Sequence, residues 1–323
     1  MLSFRRHSSA AVIIAWVVMA TFSSAQTAQD FRFSVQSQLV EVYLTVTNGK
    51  RLVPHLKASD FKVTEDGMPV SIDRLDNQDV PLQIALMCDL SESIRESLKA
   101  IQDAAAAFVE SMTPEDRVTL ILFNSEIRIF PQKTDDRRPI LNEIRSAQAG
   151  GMTKLYDSLM VGMKYLDGKS GRKAIVCFTD GQDTSGTSSR IAVLNAAARY
   201  GYPIYTIGAG AALELSSLKI ILRDFAEVNS GRALFIENMR KLREAFAEIR
   251  AELRSAYVLN YYTRIPADGR WHDLNVTTLD PALEVHSRKG FFARAMTTTS
   301  TPGNRSPLAA QQRNQWNPRR PLR

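Results

Sequence analysis

The chain predicts an α/β protein: a doubly wound, mostly parallel sheet inserted in a small flanking β-domain. Three observations predict it. From Pro81 to Arg254, apolar strand runs alternate with helical stretches, the rhythm of a sheet wrapped by helices on both faces. The run Leu82 to Cys88 is almost wholly apolar, as a strand buried on both faces requires. On either side of this stretch the pattern is purely β, so the two flanks are expected to pair with each other.

The first element lies outside the fold. Arg5-Arg6 is a basic region, Ala10 to Phe22 a short apolar run, and Ser23-Ser24-Ala25 a small-residue cleavage site. Residues 1–25 therefore read as a secretory signal peptide, and the protein as exported, periplasmic or secreted. Membrane association follows only if that segment is retained. No cysteine lies near the cleavage site, which argues against a lipid anchor.

Residues 26–80 form an N-terminal β segment. Val40 to Val46 alternates like a strand and Asn48-Gly49 is a turn signal. Ser59-Asp60 closes a short helical turn. Phe61 to Glu65 is a second strand ended by Asp66-Gly67. Residues 81–254 are the α/β domain. Its strands are expected at Leu82 to Cys88, Val118 to Phe123, Glu126 to Phe130, Lys173 to Thr179, Pro203 to Ile207 and Ala233 to Ile236. Its helices are expected at Ser93 to Met112, Pro139 to Ser146, Leu155 to Leu166, Ser189 to Tyr200, Leu213 to Val228 and Met239 to Arg254. Residues 255–296 return to β, with strands at Tyr257 to Thr263, Trp271 to Thr277 and Leu283 to Ser287. Asp268-Gly269 is expected to close a hairpin between the first two. Residues 297–323 are rich in Pro, Asn, Gln, Arg and Thr and read as a disordered basic tail.

The formal charge of +7 is peripheral. Arg5 and Arg6 and five arginines of the tail account for all of it, so residues 26–296 are balanced and no nucleic-acid partner is expected. Cys88 and Cys177 both fall inside apolar strand runs and read as small buried residues rather than a disulfide.

In open α/β sheets, ligands bind beyond the carboxyl ends of the strands, near a switch point in strand order. Asp89-Leu90-Ser91-Glu92-Ser93 lies at such an end and sets a carboxylate and two hydroxyls at alternate positions. Asp180 ends a later strand within Thr179-Asp180-Gly181. Gly150-Gly151-Met152-Thr153 opens the helix at Leu155 and offers a further hydroxyl. Hard oxygen donors of this kind suit Mg²⁺, with Mn²⁺ or Ca²⁺ as alternatives. Blander readings exist. Ser93 through Glu96 is also a capping box, and Asp180-Gly181 is also a turn. Asp183 is a solvated loop carboxylate or a supporting acceptor, and Asp157 an early-helix dipole partner.

These residues resemble the metal-ion-dependent adhesion site of the von Willebrand factor type A domain, a Rossmann-like fold, over roughly Pro81 to Arg254. Asp89, Ser91, Ser93, Thr153 and Asp180 match its five ligand positions. The flanks are similar to those of a bacterial secreted family of such domains, through Asp60 to Gly67, Tyr257 to Tyr262 and Arg288 to Phe292. One position departs: that family has Gly before the loop threonine, where this chain has Met152. The resemblance implies that some ligands act through water, leaving a coordination position for the Asp or Glu carboxylate of a protein partner. It also implies that movement of the last helix can accompany rearrangement at the metal, and here that helix leads into the Tyr257 strand.

On this reading the protein is a metal-dependent binding module for adhesion or complex assembly, and not an enzyme. A structural protein whose metal only stabilises the fold is the alternative, and a Mg²⁺-dependent hydrolase a further one. The four histidines form no His-Glu-x-x-His motif, and no Gly-x-Ser-x-Gly elbow occurs. Cys88 and Arg95 are spaced one residue too far for a Cys-x5-Arg phosphate loop, and Ser91 stands where a haloacid-dehalogenase-type phosphatase places a second Asp.

Overall fold

The computed structural model describes residues 38–293 apart from 78–79 and 181–182; the expected signal peptide and basic tail lie outside the described residues. The N-terminal flank contributes β1 (Gln38–Asn48), β2 (Arg51–Leu52), β3 (Phe61–Glu65), β4 (Met68–Val70) and β5 (Arg74–Asp76). The central part runs β6 (Leu82–Asp89), α1 (Leu98–Glu110), β7 (Arg117–Phe123), β8 (Ile127–Pro131), α2 (Arg138–Ser146), α3 (Leu155–Leu166), β9 (Arg172–Thr179), α4 (Arg190–Tyr200), β10 (Ile204–Gly208), α5 (Ala211–Glu214), α6 (Ser216–Glu227), β11 (Ala233–Phe235) and α7 (Leu242–Ser255). The C-terminal flank adds β12 (Tyr257–Thr263), β13 (Trp271–Thr278), β14 (Glu284–Ser287) and β15 (Gly290–Phe292).

The central sheet has the order β11-β10-β9-β6-β7-β8. Its pairings are parallel except that β8 returns antiparallel to β7, so the sheet is mixed. A three-residue turn, Asn124 to Glu126, joins β7 to β8, and a connection this short permits only an antiparallel pair. β6 alternates its side chains between two cores. Ile84, Leu86 and Cys88 pack with α1, α2 and α7, where Phe108 and Phe246 lie 5.2 Å apart. Ala85 and Met87 pack with α3, α4 and α6. Burial on both faces explains the unbroken apolar run. It also separates the thiols: Cys177 pairs with Met87, and Cys88 with Phe178, so the two cysteines face opposite cores and are unbonded.

Three expected helices are subdivided. The segment after Ser91 is a 3-10 turn over Glu92–Ser97 before α1 begins. The helix expected from Leu213 breaks at Leu215, whose ψ of 105° is extended. The last helix opens as a 3-10 turn over Met239–Lys241, capped by Asn238. Ser189 caps α4, its Oγ accepting from the Ala192 N–H at 3.2 Å.

The flanks form two antiparallel sheets. One has the order β14-β1-β12-β5, with β2 paired to β1; the other is β15-β13-β3-β4. β1 pairs with β12 from Gln38↔Thr263 to Leu44↔Tyr257. Val42, Leu44, Val63, Leu259, Tyr261 and Leu274 fill the core between the sheets. Tyr43 and Val258, on the other face of that pair, pack into the core beneath α3 and α4. The hairpin expected between β12 and β13 does not form. β12 already has β1 and β5 on its two edges, so the Asp268-Gly269 turn, with Gly269 at φ 73°, carries the chain to the other sheet.

One guanidinium holds both passages between flanks and centre. Buried Arg172 donates from Nε to the Val80 carbonyl at 3.0 Å, and from Nη1 to the Leu253 and Ala256 carbonyls at 2.9 and 2.8 Å. Beside it, Asp116 accepts from the Leu82 and Thr113 N–H groups at 2.9 and 2.8 Å and pairs with Arg254.

Candidate metal centre

After β6 the chain moves to β7 on one side and later to β9 on the other, so the switch point falls between β6 and β9. Asp89 closes β6, and Asp180 follows β9 directly. Four of the five expected residues are joined there by hydrogen bonds. Asp89 Oδ1 accepts from the Ser91 N–H at 2.9 Å. The Ser91 and Ser93 hydroxyls lie 3.1 Å apart, and Ser93 Oγ donates to Asp180 Oδ1 at 2.9 Å. Ser91 is extended (φ −61°, ψ 168°), whereas Ser93 lies inside the 3-10 turn. The two hydroxyls therefore meet across a strand end and a turn, rather than along one extended segment. Ser93 makes no capping box, because its hydroxyl is engaged with Asp180.

Thr153 is only 4% exposed and is held from outside the hydrogen-bonded quartet. Its N–H donates to Thr184 Oγ1 at 2.9 Å, and its carbonyl accepts from the Thr184 and Ser185 N–H groups at 2.9 and 3.1 Å. These bonds tie it to the loop that follows Asp180. The rest of its loop is equally fixed. The Gly150 N–H donates to the Leu90 carbonyl at 2.8 Å, and the Gly150 carbonyl accepts from Asn124 Nδ2 at 2.7 Å. The Gly151 carbonyl accepts from the Glu92 N–H at 3.0 Å, and the Met152 N–H donates to Ser125 Oγ at 2.9 Å. Gly151 has φ 84°, and a Cβ there would fall 2.7 Å from Ser125 Oγ, so only glycine fits.

Other residues support the site from behind. Thr179 Oγ1 donates to Asp89 Oδ2 at 2.6 Å. Gly210 packs on Asp180, where an added Cβ would meet Asp180 Oδ2 at 3.3 Å. Asp183 accepts from the Tyr156 and Gly186 N–H groups at 3.0 and 3.1 Å, which places it at the start of α3 as a loop brace. Asp157 accepts from the Thr187 and Ser188 N–H groups at 2.9 and 2.8 Å. Both acids are spent on backbone. Thr179 was legible as part of Thr-Asp-Gly, Asp183 as a supporting acceptor and Asp157 as an early-helix acid; nothing local marked Gly210.

The electrostatics of the site are lopsided. Asp89 is fully buried, and burial pushes its carboxyl up to about 6, against the hydrogen bonds from Thr179 and Ser91. Burial also raises Asp180, with the Ser93 hydroxyl opposing. Among the described residues no Lys, Arg or His forms an ion pair with either acid. Two buried carboxylates with hydroxyls between them and no protein cation fit a small hard cation, whose ligands would be oxygens alone. Among the described residues no three His, Cys, Asp or Glu side chains are gathered in the way a softer or all-carboxylate site requires.

Residues 83–248, about half of the chain, match the sequence profile of the von Willebrand factor type A domain. The chain belongs to the von Willebrand factor type A domain family. Among solved structures, this type A domain chain is similar to a von Willebrand factor type A protein from Catenulispora acidiphila, at 13% identity and a TM-score of 0.46, over 83% of this chain and 76% of that one. It is similar to the conserved hypothetical protein BatB from Bacteroides thetaiotaomicron, at 15% identity and 0.44, over 53% and 98%. It is also similar to proximal thread matrix protein 1 from the mussel byssus, described with a zinc-occupied MIDAS motif, at 17% identity and 0.47, over 59% and 50%. The chain spans about half the length of the mussel byssus proteins it matches. No curated protein matches it.

Proposed function

We propose that this type A domain protein is an exported binding module that grips a carboxylate of a protein partner through a divalent cation. The supporting observation is the buried acid pair, Asp89 and Asp180, bridged by Ser91 and Ser93 and unpaired with any protein cation among the described residues. Asp89, Ser91, Ser93, Thr153 and Asp180 would hold the ion, Mg²⁺ by the hardness of the donors, with Mn²⁺ or Ca²⁺ as alternatives. When bound, the ion supplies a positive charge with an exchangeable coordination position, which an Asp or Glu of the partner can fill. The chain's own part is to keep the donors converged and the site small.

We read the chain as non-catalytic, since the hydroxyls of Ser91 and Ser93 are bonded to each other and to Asp180, with no histidine among their partners. In this reading 81–254 is the binding domain, and 26–80 with 255–296 is the β-module that carries it. Export rests on the N-terminal segment. Among the described residues no helix is long and apolar enough to cross a membrane.

The test is calorimetric titration of Mg²⁺ and Mn²⁺ into wild type and Asp89→Ala, followed by retention of envelope proteins with and without EDTA. The proposal expects saturable binding lost in the variant, and EDTA-sensitive retention by wild type alone. Binding without any EDTA-sensitive retention would leave the ion a stabiliser only, and no binding at all would end the proposal.

A further inference from the structure

The loop that carries Thr153 presents a neighbour of opposite character. Met152 is 52% exposed, while Thr153 is 4% exposed. Consecutive Cα atoms lie about 3.8 Å apart, so the Met152 side chain departs within one residue of a candidate metal ligand. Its exposure does not come from a loose loop. Residues 150 to 153 are each tied to a neighbouring segment, through Leu90 and Asn124, Glu92, Ser125, and Thr184 and Ser185. A scattered exposed apolar side chain needs no explanation. A long, polarisable one carried on a fixed backbone one residue from a candidate ligand is an adaptable apolar contact at a set place.

The charges around it narrow what it meets. Glu92 and Arg95 lie against Gly150 and pair with each other through two bonds of 2.6 Å, so neither stands as a lone charge beside the loop. Met152 offers this part of the rim an apolar contact next to the donor set.

We propose that Met152 sets the specificity of the centre, by packing against an aliphatic or aromatic side chain adjacent to the partner's metal-bound Asp or Glu. The inference rests on the metal-dependent reading of the site and adds a partner class to it: acidic–apolar sequence pairs rather than acidic runs. Burying a methionine side chain in such a contact is worth about tenfold in affinity or more.

The experiment is selection of a phage-displayed random heptapeptide library on the full chain in Mg²⁺ with elution by EDTA, for wild type, Met152→Ala, Met152→Leu and Asp89→Ala. Wild type and Met152→Leu are expected to enrich Asp or Glu next to Leu, Ile, Met, Phe or Trp. Met152→Ala is expected to keep the acid and lose the apolar neighbour, with wild-type Mn²⁺ affinity and melting temperature. A synthetic peptide from the wild-type pool should then bind Met152→Ala about tenfold more weakly and Met152→Leu within about twofold of wild type. Equal apolar enrichment in Met152→Ala, or acidic peptides without apolar neighbours on wild type, would overturn the role of Met152 while leaving the metal reading standing. Peptides that elute without EDTA, or that Asp89→Ala selects equally, would overturn both.

Discussion

The two ends of the central sheet bury charge in opposite ways. At the amino end, where β6, β7 and β9 begin, Asp116 is buried with two backbone N–H groups and Arg254, and its carboxyl is held low: burial opposes, but those bonds and the Arg254 charge prevail. At the carboxyl end, Asp89 and Asp180 are buried with hydroxyls and an N–H, and burial raises both. The first end is complete within the chain. The second has acceptors in excess of positive charge, an arrangement that a cation from solution can balance.

That contrast can be broken first at the amino end. Asp116→Ala leaves Arg254 and two buried N–H groups without their acceptor and should cost about 3–5 kcal/mol in urea unfolding. Added Mg²⁺ should not restore the amino end. Restoration specific to this variant would mean that the two ends are not independent.

At the carboxyl end the sign reverses. A carboxyl raised to about 6 in the folded state favours folding when protonated, so metal-free stability should fall as pH rises from about 4 to about 6, by roughly 3 kcal/mol. Asp89→Asn should flatten that slope and equal or exceed wild type at pH 8 without metal. Mg²⁺ should stabilise wild type above pH 6 and leave the variant unchanged. Melting curves against pH, with and without Mg²⁺, measure all three; a variant that still responds to Mg²⁺ would remove Asp89 from the centre.

The smallest effect is expected in the β-module. His272 is held by Asp66 at 2.8 Å and Asp268 at 3.3 Å. Burial pulls its pKa down, but these bonds outweigh it and the net shift is upward. A raised histidine stabilises fully below its unfolded value near 6.5, and the gain is lost as pH rises through the folded value. His272→Gln should therefore lower the melting temperature at pH 5.5 and not at pH 9, irrespective of Mg²⁺. Equal loss at both pH values would assign His272 to packing alone.

Much of this was legible in the chain because buried parallel strands leave a long apolar signature. Leu82 to Cys88 and Lys173 to Thr179 marked their own positions, and with them the strand ends that carry Asp89 and Asp180. What was hidden is long-range. The bonds that fix Gly150 to Thr153 come from Asn124, Ser125 and Thr184, whose types say only that they suit loops. Asp268-Gly269 was readable as a turn, but the same dipeptide serves a hairpin and a change of sheet. The choice was made by β5, which occupies the edge of β12 that β13 would have used.

Arg172 has a mechanical consequence. It grips Val80, where the chain enters the α/β part, and Ala256, where it leaves, so the two passages are joined within the reach of a single side chain. Tension drawn between residues 38 and 293 would run through the strand pairs of the two antiparallel sheets, with the α/β part beside the load path, entered and left at one clasp and packed on the β-module through Tyr43 and Val258. A load carried by the β-module would thus pass by the strand ends that hold Asp89 and Asp180.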